Sequence, residues 1–245
     1  MDGETLAWIL AAGLATAVGG LALLLVRDPS ERLLDGLLGF TAGIMLAATA
    51  FSLLVPALDL GTVTEVVAGF AIGSAVLFGL DRVVPHVHAR FAEPGHTLDP
   101  RRRQAGLLLS ALTIHNVPEG VAVGVAFAAG GTELGVPIAL AIGIQNIPEG
   151  FAAGAPLVRD NRYLAAGIAA LTGLVEPPAA LLAFAAFELA ESLLPLGLGF
   201  AAGAMLYVIV DELVPESHLR GHDRLASAAL LAGFALMMTL DTALG

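Results

Sequence analysis

The 245-residue sequence contains no cysteine and no lysine, so arginine alone supplies its 11 basic side chains. Without thiols there is no disulfide framework and no thiolate metal or redox site. Any metal must be held by histidine, carboxylate, amide or thioether groups. Charge of either sign is scarce, at 13% of residues, where a soluble domain carries about 25%. The balance is acidic, with a formal net charge of −11, which argues against the basic footprint of a nucleic-acid-binding protein. Hydrophobic residues, by contrast, make up 57% of the chain. They run in stretches long enough for a bilayer, which needs about 20 apolar residues per helical span. The composition therefore implies an all-α polytopic membrane protein.

The start of the chain is not that of a cleaved signal. Asp2 and Glu4 stand where a basic region belongs, and the first arginine, Arg27, follows the first apolar run. That run is expected to be a span with its N-terminus outside.

Reading apolar runs between turn and charge signals predicts eight spans, at about 5–26, 34–57, 63–85, 104–129, 134–158, 163–187, 192–215 and 225–243. Together they form one transmembrane domain over 1–245. Linkers are short except for 86–103, a polar loop with three of the 6 histidines. Arginine sets the expected orientation. Arg27, Arg32, Arg82, Arg90, Arg101, Arg102, Arg103, Arg159, Arg162, Arg220 and Arg224 all lie at or near the loops after spans 1, 3, 5 and 7. By the positive-inside rule those loops are cytoplasmic and both termini are outside.

An internal repeat agrees with this count. "GFTAGIML" from Gly39 in span 2 matches "GFAAGAML" from Gly199 in span 7, and "AGFA" occurs at 68–71 in span 3 and again at 232–235 in span 8. Partners five spans apart face opposite ways, giving a 3+2+3 inverted-repeat arrangement with spans 4 and 5 as the central pair. Such repeats mark secondary transporters with a site near the midplane. Glycines four apart, such as Gly39 and Gly43 or Gly120 and Gly124, let helix backbones approach closely.

The central pair carries the chemistry. Span 4 contains "HNVPEG" at 115–120 and span 5 contains "QNIPEG" at 145–150. His115, Asn116 and Glu119 share an arc of about 100° on one helix, and Gln145, Asn146 and Glu149 repeat it on the next. Pro118 and Pro148 cannot donate to the carbonyls of Ile114 and Ile144, so each helix is expected to kink beside its polar cluster. An ionised carboxylate at mid-bilayer costs about 2.5–3.5 kcal/mol or more, and a divalent cation compensates for two of them. One imidazole, two carboxylates and amide oxygens suit Zn²⁺, Fe²⁺ or Mn²⁺ better than Ca²⁺ or Mg²⁺. Such a thiolate-free set suits exchangeable binding rather than a structural zinc site.

Glu176 in "GLVEPP" is a third buried carboxylate; it either completes the metal site or sits protonated in a polar seam. Nearer the cytoplasm, Asp81, His86 and His88 close span 3, while Asp211, Glu212, Glu216, His218 and His222 lie near the end of span 7. They read either as an exit station for the ion or as solvated helix ends, the latter favoured for Glu216 and His218. At the outer mouth, Ser52 and Asp59 can attract cations, with Met45 below them.

These motifs resemble the ZIP metal-transporter family, in its prokaryotic GufA-like branch. The resemblance runs over nearly the whole chain through "AGIML…FSLLVPAL", "HNVPEG", "QNIPEG", "GLVEP" and "AGAMLYVIVDELVPESH". It implies eight helices with outside termini, a homodimer, and multi-pass residence in the inner membrane of a prokaryote. It also implies uptake of Zn²⁺, or of Fe²⁺, Mn²⁺, Cd²⁺ or Co²⁺, as the transported substrate, through an elevator-like motion. His115, Glu119, Gln145 and Glu149 would hold the ion, and Asn116, Asn146 and Glu176 a neighbouring second position. Asp81, His86, His88, Glu212 and His222 would fit the exit, Met45, Ser52 and Asp59 the inlet, and loop 86–103 a metal-sensing segment. Some relatives carry Asp where this chain has Asn146, so one well-held ion is expected here, with the second position weak and a second ion left open. Neither H-E-x-x-H nor a multi-histidine set is present, so the chain is read as no enzyme. A metal-selective channel shares the same residues and stays open at this point.

Overall fold

The computed structural model of the protein describes residues 1–26, 28–83 and 100–244. Among these residues the structure is helical throughout, with no strand. His86 and His88 lie outside them.

Helix α1 (Gly3–Ala22) starts where Asp2 accepts the Thr5 backbone N–H at 2.8 Å. That hydrogen bond satisfies an end-of-helix donor and holds the Asp2 carboxyl below its ordinary range. Helix α2 (Glu31–Ala47) starts likewise on the Ser30 hydroxyl, which accepts from the Leu33 N–H at 3.2 Å. It runs into a π-helical segment, Ala48–Leu54, and then α3 (Val55–Leu60). Helix α4 (Val63–Val83) follows.

Helix α5 (Pro100–Gly154) contains both hexapeptides. It is broken at Gly130 (φ −141°, ψ 17°) and Gly131 (φ 57°, ψ −138°) into two arms. The positive φ of Gly131 belongs to a region that residues with a Cβ rarely adopt, so the break lies where the sequence supplies two glycines. Backbone dihedrals stay helical through Pro118 and Pro148, and the break in α5 is at the glycines.

Helix α6 (Val158–Gly173) is interrupted at Asn161, whose side chain accepts from the N–H groups of Tyr163 and Leu164 at 3.0 and 3.1 Å and so restarts the helix. Then come α7 (Glu176–Glu188), α8 (Leu194–Val208), a second π-helical segment at Ile209–Leu213, α9 (Val214–Ser217) and α10 (Asp223–Leu244). Counting uninterrupted stretches among the described residues, 6 helical segments are long and apolar enough to cross a membrane. One of these, Thr113–Glu188, has 76 residues, several times the roughly 20 a bilayer needs. Divided at Gly130–Gly131 and at Asn161, it gives three pieces. The number of spans is thus six to eight, and the protein is a multi-span membrane protein.

The two π-helical segments are a feature that hydropathy does not reveal. In the first, the N–H of Val55 reaches back five residues to the Ala50 carbonyl; in the second, Val214 reaches back five to Ile209. Each widened turn follows one of the matched glycine octets and precedes a proline, Pro56 or Pro215. A proline cannot donate to the carbonyl four residues back, and one extra residue per turn re-aims the side chains that follow. Single π turns of this kind gather at functional sites.

Packing between helices is set by glycine. Gly39 and Gly43 of α2 seat against Ala226 and Leu230 of α10, and Gly69 and Gly73 of α4 against Leu196 and Phe200 of α8. A Cβ at Gly43 or Gly73 would run into the carbonyl oxygen of the facing helix. Gly120 and Gly124 of the first arm of α5 lie on α7 at Glu176 and Ala180, while Gly150 of the second arm lies on α1 at Thr16. The main core, which includes Met45, Ala126, Ile142, Leu198 and Met205, fills the space among these pairs.

Candidate metal centre

Both arms of α5 bring their hexapeptides into the interior. His115, Asn116, Glu119, Gln145, Asn146, Glu149 and Glu176 are all buried, none more than 6% exposed. Meanwhile Val117 and Ile147, between the polar residues, face outward at 39% and 41% exposure. The helical period thus sorts each motif into an inward polar arc and an outward apolar edge.

Within this interior the side chains are tied in pairs. Gln145 donates through Nε2 to Glu119 Oε1 at 2.6 Å. Asn146 donates through Nδ2 to Glu176 Oε2 and Oε1 at 2.8 and 3.0 Å, and to the Ala12 carbonyl of α1 at 2.9 Å. The Thr16 hydroxyl adds a 3.2 Å bond to Glu176 Oε1. His115 Nε2 lies 2.6 Å from Glu212 Oε1, a contact between α5 and the second π-helical segment.

The oxygens left over are informative. Among the described residues no hydrogen bond reaches Asn116 Oδ1, Glu119 Oε2, Gln145 Oε1, Asn146 Oδ1 or Glu149 Oε2, and all are buried. An unmet buried polar atom costs about 1–3 kcal/mol, and more if charged. These are five acceptor oxygens on five residues of two matched motifs, with the Asn116 Nδ2 donor beside them, and a cation can serve several acceptors at once. The donor set of imidazole, carboxylate and amide oxygen fits a borderline divalent metal.

Next to this centre, Asp81, Asp211 and Glu212 bring carboxylate oxygens within 4.8 Å of one another, all half-buried. Glu212 therefore belongs to both groups, touching His115 on one side and the carboxylate cluster on the other. The other candidates are dispersed. His222 sits 3.0 Å from Asp35 Oδ2, not in the carboxylate cluster. The His218 ring contacts the Val214 carbonyl at 2.8 Å and Ser227 at 3.2 Å, closing a helix end, and Glu216 pairs with Arg220. Ser52 is buried and bonds Asp241 of α10 at 2.5 Å, Met45 is buried in the core, and Asp59 is exposed.

Three residues here escaped the sequence reading. Asp35, fully buried, accepts from Arg220 at 3.1 Å and contacts His222. Around Arg220 itself, burial works against the charge, but Glu216 and Asp35 outweigh it and hold the guanidinium pKa above its ordinary value. Asp241 and Thr16 are the other two. For Asp35 and Asp241 a signal existed, a carboxylate in an apolar run of α2 or α10; Thr16 offers none.

Comparison with known proteins agrees with this chemistry. The family described as "ZIP Zinc transporter" matches residues 88–241. The chain belongs to the ZIP family. It is 42% identical to the zinc transporter ZIPB of Bordetella bronchiseptica, over 94% of this chain and 78% of that one. It is 41% identical to the zinc transporter GufA of Myxococcus xanthus, over 96% and 97%, and 33% identical to the human zinc transporter ZIP11, over 94% of each chain. As a ZIP protein the chain is a transporter and not an enzyme. Relatives so similar over nearly full length agree with the GufA-like, prokaryotic branch.

Proposed function

We propose that the protein carries a divalent transition metal, Zn²⁺ foremost, into the cytoplasm by alternating access. The observation that carries this reading is the set of unpartnered buried oxygens on the twin hexapeptides. His115, Glu119, Gln145 and Glu149 take the ion from water. Asn116 lies beside them, and Asn146 and Glu176 occupy the neighbouring position. Fe²⁺, Mn²⁺, Cd²⁺ and Co²⁺ are chemically acceptable to the same donors. Zinc is favoured by the relatives, which are zinc transporters.

Glu212 relays the ion from His115 to Asp81 and Asp211 on the cytoplasmic side, and the family resemblance adds His86 and His88 to the exit, while His222 is engaged by Asp35. Ser52, Asp59 and Met45 form the inlet. A membrane potential negative inside favours this direction by about 2.3 kcal/mol per charge per 100 mV, so a divalent ion gains roughly double.

The 3+2+3 inverted repeat is supported by the paired packing, and both termini outside by the placement of the arginines. Exchanging spans 1, 2, 3 and 4 with 6, 7, 8 and 5 turns the α2–α10 contact into α8–α4, and the contact of α1 with the second arm of α5 into that of α7 with the first. The π turns at Ala50–Val55 and Ile209–Val214 obey the same exchange. In this reading the α5 pair with α1, α6 and α7 slides as an elevator against α2, α4, α8 and α10. The chain works as one transmembrane domain and as a homodimer in the inner membrane of a prokaryote, as the family resemblance implies.

The test is Zn²⁺ uptake into proteoliposomes loaded with a zinc-sensitive dye. Wild-type protein should show saturable uptake that Glu119→Ala and His115→Ala abolish. No uptake of any divalent metal by folded wild-type protein would refute the reading.

A further inference from the structure

Thr41 sits in the first of the matched octets, "GFTAGIML", where the second octet has Ala201. Both positions are fully buried. Alanine suffices in the second half, so close packing at this point of the repeat asks for no hydroxyl. A helical threonine can settle its Oγ1 on the carbonyl three or four residues back. Thr49 does so on Met45 at 2.8 Å, Thr172 on Ala169 at 2.8 Å and Thr239 on Ala235 at 2.7 Å. Thr41 does not: its hydroxyl is buried with no hydrogen-bond partner among the described residues.

The place of Thr41 on α2 is telling. Leu34 and Leu37 share a packed cluster with Phe151 and Ala152 of α5, and Ile44 and Ala48 share another with Ala141 and Ile144. Thr41 comes four residues after Leu37 and three before Ile44, so it lies on the same face of α2. Between those two clusters it stands opposite the second hexapeptide. This is the face along which α2 meets the sliding body of the elevator reading. On the other side, Pro148 has no N–H to give the Ile144 carbonyl. A donor without an acceptor on α2 thus looks toward an arm that carries an acceptor without its helical donor.

We propose that the Thr41 hydroxyl is a docking point for the second arm of α5, unpartnered in the arrangement of this structure and hydrogen-bonded in the other arrangement of the transport cycle. This inference rests on the alternating-access reading. Thr41 acts as a positioning residue: it touches no ion and sets the balance between two arrangements of the same bodies. One arrangement bears the penalty of a buried hydroxyl without a partner, and the other gains the bond. Removing the hydroxyl therefore shifts the balance toward the arrangement described here. Packed interfaces switch between discrete arrangements of this kind rather than deforming continuously.

The experiment compares full-length wild type, Thr41→Val and Thr41→Ser, with Zn²⁺ uptake measured in proteoliposomes and melting curves taken in detergent. Thr41→Val keeps the shape of the side chain and removes the hydroxyl. Its melting midpoint should hold or rise, because in this structure the hydroxyl has no partner to lose. Its saturated uptake rate should nevertheless fall, by about twofold to tenfold for one hydrogen bond. Thr41→Ser, which keeps the hydroxyl, should retain the wild-type rate. A hydroxyl that is only a leftover of packing would give the same melting curve with an unchanged rate in Thr41→Val, and would overturn the inference. A lowered midpoint in Thr41→Val would overturn it too, since the hydroxyl would then already be bonded. An equal fall in rate in both variants would assign the effect to side-chain shape and likewise overturn it. In all three cases wild-type uptake, and the transport reading with it, stands. No uptake by folded wild type would defeat the transport reading and this inference together.

Discussion

His115 Nε2 lies 2.6 Å from Glu212 Oε1, so a carboxylate from the second π-helical segment engages an imidazole nitrogen of the twin-motif cluster. The contact joins the central α5 pair to the α8 side of the molecule, which the elevator reading treats as separate bodies. On the proposed transport reading, Glu212 competes with the ion for His115 and at the same time offers the ion its next ligand.

From this contact, Glu212→Gln should tighten equilibrium Zn²⁺ binding at the centre and slow its release. A hydrogen bond to a charged group is worth about 1.5–3 kcal/mol, so the affinity gain is on the order of tenfold. Calorimetry on the purified protein and initial uptake rates in proteoliposomes check the two halves. Loss of affinity would instead make Glu212 a ligand of the centrally bound ion.

Asp35→Asn removes a buried charge from Arg220 and His222. Because Arg220 keeps Glu216 and is partly solvated, the expected loss is about 2 kcal/mol rather than the larger cost of a fully buried broken pair. A melting curve in detergent shows it as a lowered midpoint. An unchanged midpoint would show that this end of the bundle is held by packing alone.

Asp241→Asn weakens the partner of the Ser52 hydroxyl at the opposite end. If this pair lies on the inlet, uptake at low Zn²⁺ should fall while the saturated rate holds. The deficit should shrink at high ionic strength, where charges separated by more than about 10 Å are screened.

Gly73→Ala tests the helix pairing. A methyl group there meets the Phe200 carbonyl, and forcing atoms into a packed contact costs about 1–3 kcal/mol. Gly167→Ala, where no atom lies within 4 Å of the added carbon, should instead leave the midpoint unchanged or raise it slightly, by helix propensity. Equal effects in both would discount the glycine contacts.

Much of this architecture was legible in the sequence. The apolar runs and the two hexapeptides mark the helices and put six polar side chains on inward arcs, because hydropathy and helical period are local properties of consecutive residues. The π turns were not legible. The octets beginning at Gly39 and Gly199 were visible as a repeat, but the five-residue hydrogen bonds of Val55 and Val214 depend on where the backbone is forced to widen. Nor was the placing of the one non-helical break in α5 at Gly130–Gly131, with helical dihedrals kept through Pro118 and Pro148.

The sequence by itself determined the medium, the all-helical class, the family resemblance and the identity of the donors. Only the tertiary structure decided who meets whom. Glu212 reaches His115, Asp35 gathers Arg220 and His222, Asp241 takes the Ser52 hydroxyl, and Asn146 holds Glu176. Each of these contacts joins residues far apart in the chain. The glycine pattern marks which faces can approach closely, but which helix each face meets is set only by the tertiary packing.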